Sequence, residues 1–382
     1  MKQSLRIRVG FKALAVSVIA MSMALSACRK EPVTPDEPHM GENCYIVNTL
    51  GKALTFHADV KGHSKEPLDA WTSAEVLWES YGTETAPADG GVIEMTYDAS
   101  SRKISVTGKA DGNAVVAVKD AEGTILWSWH IWVCNGYDAQ ATAHRYNNNA
   151  GTVMDRNLGA TSATPGKAGA MGLLYQWGRK DPFLGSSSTT ATVRAASSGK
   201  WEDPESSKSI GLGNSIQHSI EHPTRIIIYN LFNYDWYFTG DETTDNTRWK
   251  EDEKTMYDPC PEGWRVPAGG PDGLWATAFG SEERINNITG DHGFDFGSES
   301  GADNTLSSDD ASVWYPASGY IERTEFRLEG AGESGHYWSA SPAGSNAYDF
   351  SFMTIGLSII DYANPSSSYN RANGFNIRCV RE

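Results

Sequence analysis

The chain has 382 residues, 32 of them basic and 48 acidic, for a formal net charge of −16. Such an excess of carboxylates argues against nucleic acid as a partner and against docking on an anionic membrane face, since both need clustered Lys and Arg. The length suffices for two domains of ordinary size.

Lys2, Arg6, Arg8 and Lys12 make the first segment basic. Residues 13–24 then form an apolar stretch of 12, too short to span a bilayer and right for a signal-peptide core. Leu25-Ser26-Ala27-Cys28 follows and resembles the bacterial lipobox. The resemblance implies a signal peptide over residues 1–27, cleavage before Cys28 and acylation of that cysteine, with palmitate as an expected label. An ordinary signal peptide with an incidental cysteine is the alternative. Cleavage removes four basic and no acidic residues, leaving 355 residues with a charge of −20. Stable anchoring takes more than one acyl chain, which the full lipoprotein modification would supply; no other segment is long and apolar enough for a transmembrane helix, so lipid alone is the expected link to the membrane. Residues 28–41 hold three prolines and no apolar period, and are expected as an extended tether.

Seven short β-rich runs come next, at 44–48, 53–60, 74–79, 92–97, 103–107, 114–119 and 125–133. Leu54, Phe56, Ala58 and Val60 alternate with Thr55, His57 and Asp59, the period of a half-buried strand. Residues 111–113 (DGN) and 121–123 (AEG) supply hairpin chemistry between consecutive runs. Together these predict an antiparallel β-sandwich over residues 42–135. In the last run Trp127 and Trp129 share one face, and His130 shares the other with Trp132. Packing is the expected role of these rings; a glycan platform is the alternative. Residues 136–150 read as a polar linker.

A second module is expected over residues 151–382. Residues 186–200 (SSSTTATVRAASSGK) read as a solvent loop. Helices are predicted over 171–179 and 273–279, and strands over 336–341, 347–353 and 375–380. Chemistry-bearing patterns are sparse: there is no Gly-x-Ser-x-Gly, His-Glu-x-x-His or phosphate-cradling loop. His218 and His222 stand four apart beside Glu221, but Pro223 and the β-branched run 226–228 argue against a helix there, so no metal site is expected. Asp241, Glu242 and Asp245, like Asp309 and Asp310, lack the spacing of a calcium loop and read as solvated charges. No cofactor and no catalytic residue is expected. Carboxylate pairs for glycoside hydrolysis abound, and nothing singles one out.

Aromatic residues are the remaining clue. Trp264 and Trp338 read as core. Trp249, between Arg248 and Lys250, reads as exposed, and Tyr234, Trp236 and Tyr237 lie beside Asn233 and Asp235. Aromatic faces next to amides and carboxylates suit sugar stacking. Trp236, Tyr237 and Trp249 are therefore candidate ligand contacts; packing around indoles is the competing role.

Four phrases of the second module belong together: 154–160 (MDRNLGA), 175–183 (YQWGRKDPF), 258–267 (DPCPEGWRVP) and 374–382 (GFNIRCVRE). With 316–320 (PASGY) and 337–341 (YWSAS) between them, the module resembles the Fibrobacter succinogenes major paralogous domain over residues 151–382. The resemblance implies a lipoprotein of the bacterial outer membrane, facing outward, often in the company of fimbrillin-like modules. The first module is similar to the β-sandwich that precedes this domain, through 43–46 (NCYI), 112–118 (GNAVVAV) and 127–132 (WSWHIW). The closing phrase is similar to that of formylglycine-generating and C-type-lectin-like α+β folds. The reactive cysteine pair of the former and the calcium-and-sugar tripeptides of the latter are both missing.

Cysteine counting adds to this. The lipobox takes one of five cysteines and leaves Cys44, Cys134, Cys260 and Cys379, which allow three connectivities in an oxidising compartment. Pairing by module gives Cys44–Cys134 and Cys260–Cys379, the second matching the stapled terminal strands of the lectin-like folds; free buried thiols are the alternative. Without a CxxC or Cys/His cluster a zinc site is not expected. Three functions remain open: a non-catalytic adhesin or fimbria-associated module binding glycan or protein, a pilin-type filament subunit, and a glycan-active enzyme.

Overall fold

The computed structural model describes residues 40–229, 234–241, 243–280, 288–289, 293–295, 313–353 and 362–382. Cys28 and the tether up to residue 39 lie outside them, as do Glu242, Asp309 and Asp310. Among the described residues the chain is mainly β, and no helix is long and apolar enough to cross a membrane.

Alternation is strongest before residue 135, and there the backbone follows it. The seven runs form β1 (Cys44–Val47), β2 (Ala53–His57), β3 (Ser73–Ser80), β4 (Ile93–Asp98), β5 (Lys103–Gly108), β6 (Gly112–Lys119) and β7 (Ile125–Val133). They make two sheets, β1-β7-β6-β3 and β2-β5-β4. Phe56, Ile104 and Val106 of the second sheet share one buried cluster with Val116, Val118, Trp127 and Trp129 of the first. Trp127 and Trp129 thus pack between strands, as their shared face predicts. The first strand joins β7 in parallel, with Cys44 opposite His130 and Val47 opposite Val133.

The rest of the chain uses shorter pieces. In order they are β8 (His144–Tyr146), β9 (Gly151–Val153), β10 (Tyr175–Gln176), β11 (Glu205–Ser206), α1 (Ser207–Ile210), α2 (Ser215–Glu221), β12 (Ile227–Ile228) and β13 (Trp264–Arg265). Then come α3 (Leu274–Phe279), β14 (Ile288–Thr289), β15 (Gly293–Asp295), β16 (Trp314–Pro316), β17 (Ser318–Ile321), β18 (Leu328–Ala331) and β19 (Ser334–Ala343). Last are β20 (Asn346–Met353), β21 (Tyr362–Asn370), β22 (Gly374–Phe375) and β23 (Val380–Arg381). The main sheet runs β10-β22-β17-β19-β20-β21, with β18 paired to β17. Cys260 and Cys379 are disulfide-bonded with Cα atoms 6.1 Å apart, next to the antiparallel pair β13–β23.

Several expectations need correction. No helix forms over 171–179: Gly172 (φ +71°) and Gly178 (φ +77°) are left-handed, and Tyr175–Gln176 pairs with Gly374–Phe375 instead. A helix does form before His222, because Pro223 falls just past its last turn. Residues 186–200 are not a solvent loop. Ala196 and Ser198 donate backbone hydrogen bonds to Thr83 and Glu79 at 2.9 and 3.0 Å, covering the edge of β3. The expected linker is built into the fold through β8, with Tyr137, Ala139 and Tyr146 buried.

The Cys44–Cys134 disulfide is absent; both thiols are free and buried. Parallel pairing is the reason. Cys44 stands opposite His130, four positions before Cys134 along β7, which at strand rise is about 13 Å, beyond disulfide reach.

Candidate binding surface

The quoted phrases meet, and they meet inside. Leu158 and Met154 donate backbone hydrogen bonds to the carbonyls of Ile377 and Cys379, each at 2.9 Å. Trp177 and Trp338 donate their indole N–H groups to the carbonyls of Ser339 and Tyr175 at 2.8 and 2.9 Å. Asn376 donates to the carbonyls of Met171 and Leu173, both at 2.9 Å, and Arg378 grips Asn157 Oδ1 at 2.9 Å. These polar side chains satisfy backbone groups that strands this short leave unpaired. The phrases specify a frame.

Two of the three ligand contacts expected from sequence belong to that frame as well. Trp236 is 1% exposed and Trp249 is fully buried. Their indoles donate to the carbonyls of Trp177 (2.7 Å) and Tyr257 (2.9 Å). Trp249 reads as exposed because Arg248 precedes it, yet Arg248 is itself buried in a bidentate pair with Asp235. The Arg248 guanidinium lies 4.7 Å from the Trp236 ring and 5.0 Å from that of Trp177, while Arg371 approaches the same Asp235 at 3.7 Å. Two arginines, one carboxylate and the indoles form a closed cation–π cluster. Trp236 and Trp249 are inaccessible to a ligand. Tyr237 is half-buried with its backbone N–H on Asp235 Oδ1 at 3.1 Å.

One buried group imitates a catalytic set. Cys44 Sγ is 3.3 Å from His130 Nδ1, and His130 Nε2 is 2.9 Å from Asn113 Oδ1. A thiolate–imidazolium pair needs a lowered thiol and a raised imidazole. Burial does the opposite here, pushing the Cys44 thiol far up and the His130 imidazole down to about 3. The two are neutral packing partners. His218 and His222 lie tilted with ring centres 4.3 Å apart, and each meets a carboxylate, Glu205 at 3.3 Å and Glu202 at 2.9 Å, that Arg225 also pairs with. Among the described residues no group of three or more side chains is arranged to hold a metal.

Accessible aromatic chemistry appears elsewhere, across the main sheet. Tyr320 (β17), His336 (β19), Tyr369 (β21) and Phe375 (β22) cluster face to edge. His336 stacks on Phe375 at 4.6 Å and meets Tyr320 and Tyr369 edge-on at 5.1 and 5.0 Å. Below, Phe375 rests on Trp338 at 4.2 Å. His336 Nδ1 is 3.3 Å from Asp349 Oδ2 on β20, and Tyr320 donates its hydroxyl to Glu329 Oε2 at 3.1 Å. Burial raises the Asp349 carboxyl above the usual carboxylate range and the Tyr320 phenol to about 12. Tyr369 is 38% exposed and Tyr320 is half-buried. Tyr369 thus stands partly exposed at the edge of a cluster that holds a carboxylate and a phenol.

Sequence reasoning missed Tyr369, His336 and Asp349. A signal was present in 347–353, where Phe350 and Phe352 alternate with Asp349 and Ser351, marking a polar face opposite the core. A second feature is a cleft of about 240 Å³ between β1 and β2, both edge strands, lined by Ile46, Val47, Ala53 and Leu54 with Asn48, Thr49 and Lys52.

No family model, no curated protein and no solved structure matches this chain.

Proposed function

We propose that this protein is a lipid-anchored, outward-facing surface protein of the bacterial outer membrane. In this reading Cys28 carries the lipid, and the rest is a non-catalytic binding module: a β-sandwich followed by a lectin-like α+β module of the major-paralogous type. The ligand is a glycan, taken up on the face made by Tyr320 and Tyr369. What carries the reading is that partly exposed residue: Tyr369 meets His336 and Phe375 edge-on at 5.0 and 5.5 Å, contacts that position it before any ligand arrives, and the Tyr320 hydroxyl with Glu329 belongs to the same cluster and can bond sugar hydroxyls. Neutrality of the Cys44–His130 pair supports the non-catalytic reading over nucleophilic chemistry at that pair.

The test is a glycan and matrix-protein array probed with the chain from Arg29 onward, together with a palmitate-analogue label on cells. Retained glycan and label lost on Cys28→Ala support the proposal. Equal labelling of Cys28→Ala removes the anchor, and product release from a glycan replaces the binder by an enzyme. A pilin-type subunit is the second reading, favoured by the cleft between edge strands β1 and β2, where an added strand would find unpaired backbone. Loss of surface filaments on deletion would promote it.

A further inference from the structure

The start of β1 is gripped from two directions. Among the described residues β1 pairs only with β7, and it does so in parallel. At its start, Glu42 and Asn43 are held by residues more than 200 positions away. Lys254 Nζ donates to Glu42 Oε2 and to the Pro261 carbonyl, at 2.5 and 2.8 Å. Asn43 Nδ2 donates to the carbonyls of Met256 (2.7 Å) and Asp258 (2.9 Å), while its Oδ1 accepts from the Trp127 indole at 3.0 Å. Glu42, Asn43 and Lys254 are all buried. The gripping segment is covalently fixed in turn, since Cys260 is bonded to Cys379.

This arrangement has a mechanical meaning. In a parallel pair, the start of one strand and the end of the other lie at opposite ends of the ladder. A pull that enters at the start of β1 and leaves from the end of β7 slides the strands past each other, so every ladder bond is loaded at once. In an antiparallel pair the same two points lie together, and the bonds open one after another. The grip on Glu42 and Asn43 adds buried bonds in parallel with the ladder, and breaking it strands the charges of Glu42 and Lys254 away from water.

We propose that β1, its parallel ladder to β7 and the grip of residues 254–261 on Glu42 and Asn43 form a shear clamp against load applied at the N-terminal side. Its use in the cell rests on the anchored reading given above; the clamp itself does not. A protein tethered through residues 28–41 and bound to a ligand through its second region carries load along this line, and it enters the fold where the grip is.

Single-molecule pulling on the chain from Arg29 onward tests this, with one handle at the N-terminus and a second, introduced as an unnatural side chain, at Asn135 or at Glu122. Asn135 follows the far end of β7; Glu122 lies in the β6–β7 turn at its near end. The Asn135 geometry should rupture at high force and the Glu122 geometry at low force. Equal forces overturn the clamp. In the Asn135 geometry, Glu42→Gln with Lys254→Met should lose the high-force peak while chemical denaturation still shows a cooperative fold; an unchanged peak removes the grip from the proposal. Missing lipid on Cys28 with the force difference intact refutes the anchor and leaves the clamp, and equal forces with lipid present do the reverse.

Discussion

Residues 44–133 and residues 151–382 solve the same problem by different means. The first region buries apolar side chains between regular sheets, with Val116, Val118, Trp129 and Ile131 contributing little besides surface. The second has many two-residue strands, and buried polar groups do what longer ladders would do: Asn157, Gln176, Arg371, Asn376 and Arg378 all bond main-chain carbonyls or one another. One region tolerates trimming, because an apolar side chain made smaller leaves only a cavity. The other does not, because a missing polar partner leaves a buried group unsatisfied.

The largest effect should separate the two regions most clearly. Asp235→Ala leaves Arg248 and Arg371 without their shared carboxylate and should cost about 3–5 kcal/mol in denaturant unfolding, whereas Ile131→Val should cost about 0.5–1.5 kcal/mol. Comparable losses would erase the contrast. Next are the cysteines. Cys260→Ala should cost about 2–5 kcal/mol, and reductant should lower the stability of the wild type but not of that variant. Cys44→Ala should cost about 1 kcal/mol and leave the response to reductant intact; a reductant response that vanishes with Cys44→Ala would restore the disulfide the structure lacks.

pH should push the regions in opposite directions. Burial holds the His130 imidazole at about 3, below its unfolded value, so the stability it supplies is present above about pH 6.5 and is lost as pH falls, by about 1.4 kcal/mol per unit. Burial pushes the Asp258 carboxyl up to about 6. Its contribution is present below the ordinary carboxylate range and is lost as pH rises through about 6. Between those limits the two slopes oppose each other. Relative to wild type, His130→Gln should gain stability on going from pH 7 to pH 4.5 and Asp258→Asn should lose it, read from denaturation midpoints. The smallest effect is expected at the surface, where Tyr369→Ala should change stability by no more than about 0.5 kcal/mol.

The same contrast governs what can be read from the sequence. All seven runs before residue 135 are strands, because alternation and turn residues are local. The helix over 273–279 is found as α3 (Leu274–Phe279), after a Pro-rich turn. By contrast, 171–179 reads as helical only while the left-handed backbone at Gly172 and Gly178 is unknown, and that is imposed by packing against Asn157 and Arg248. Trp249 misleads because Arg248 meets its carboxylate 13 residues away. The Cys44–Cys134 pairing fails on strand direction, which composition does not carry. Cys260–Cys379 survives because its strands close the fold side by side. The candidate surface was illegible for the same reason as the frame beneath it: Tyr320, His336, Asp349 and Tyr369 come from four strands that only tertiary pairing brings together.

The proposed ligand face is that of Tyr320 and Tyr369, not the buried tryptophans of the frame. Titration calorimetry with a glycan retained on the array, comparing wild type with Tyr369→Ala and with Tyr237→Ala, tests it most directly. Binding should be lost in Tyr369→Ala at unchanged stability and persist in Tyr237→Ala. Undiminished binding by Tyr369→Ala, or loss of binding in Tyr237→Ala alone with the fold intact, would contradict it.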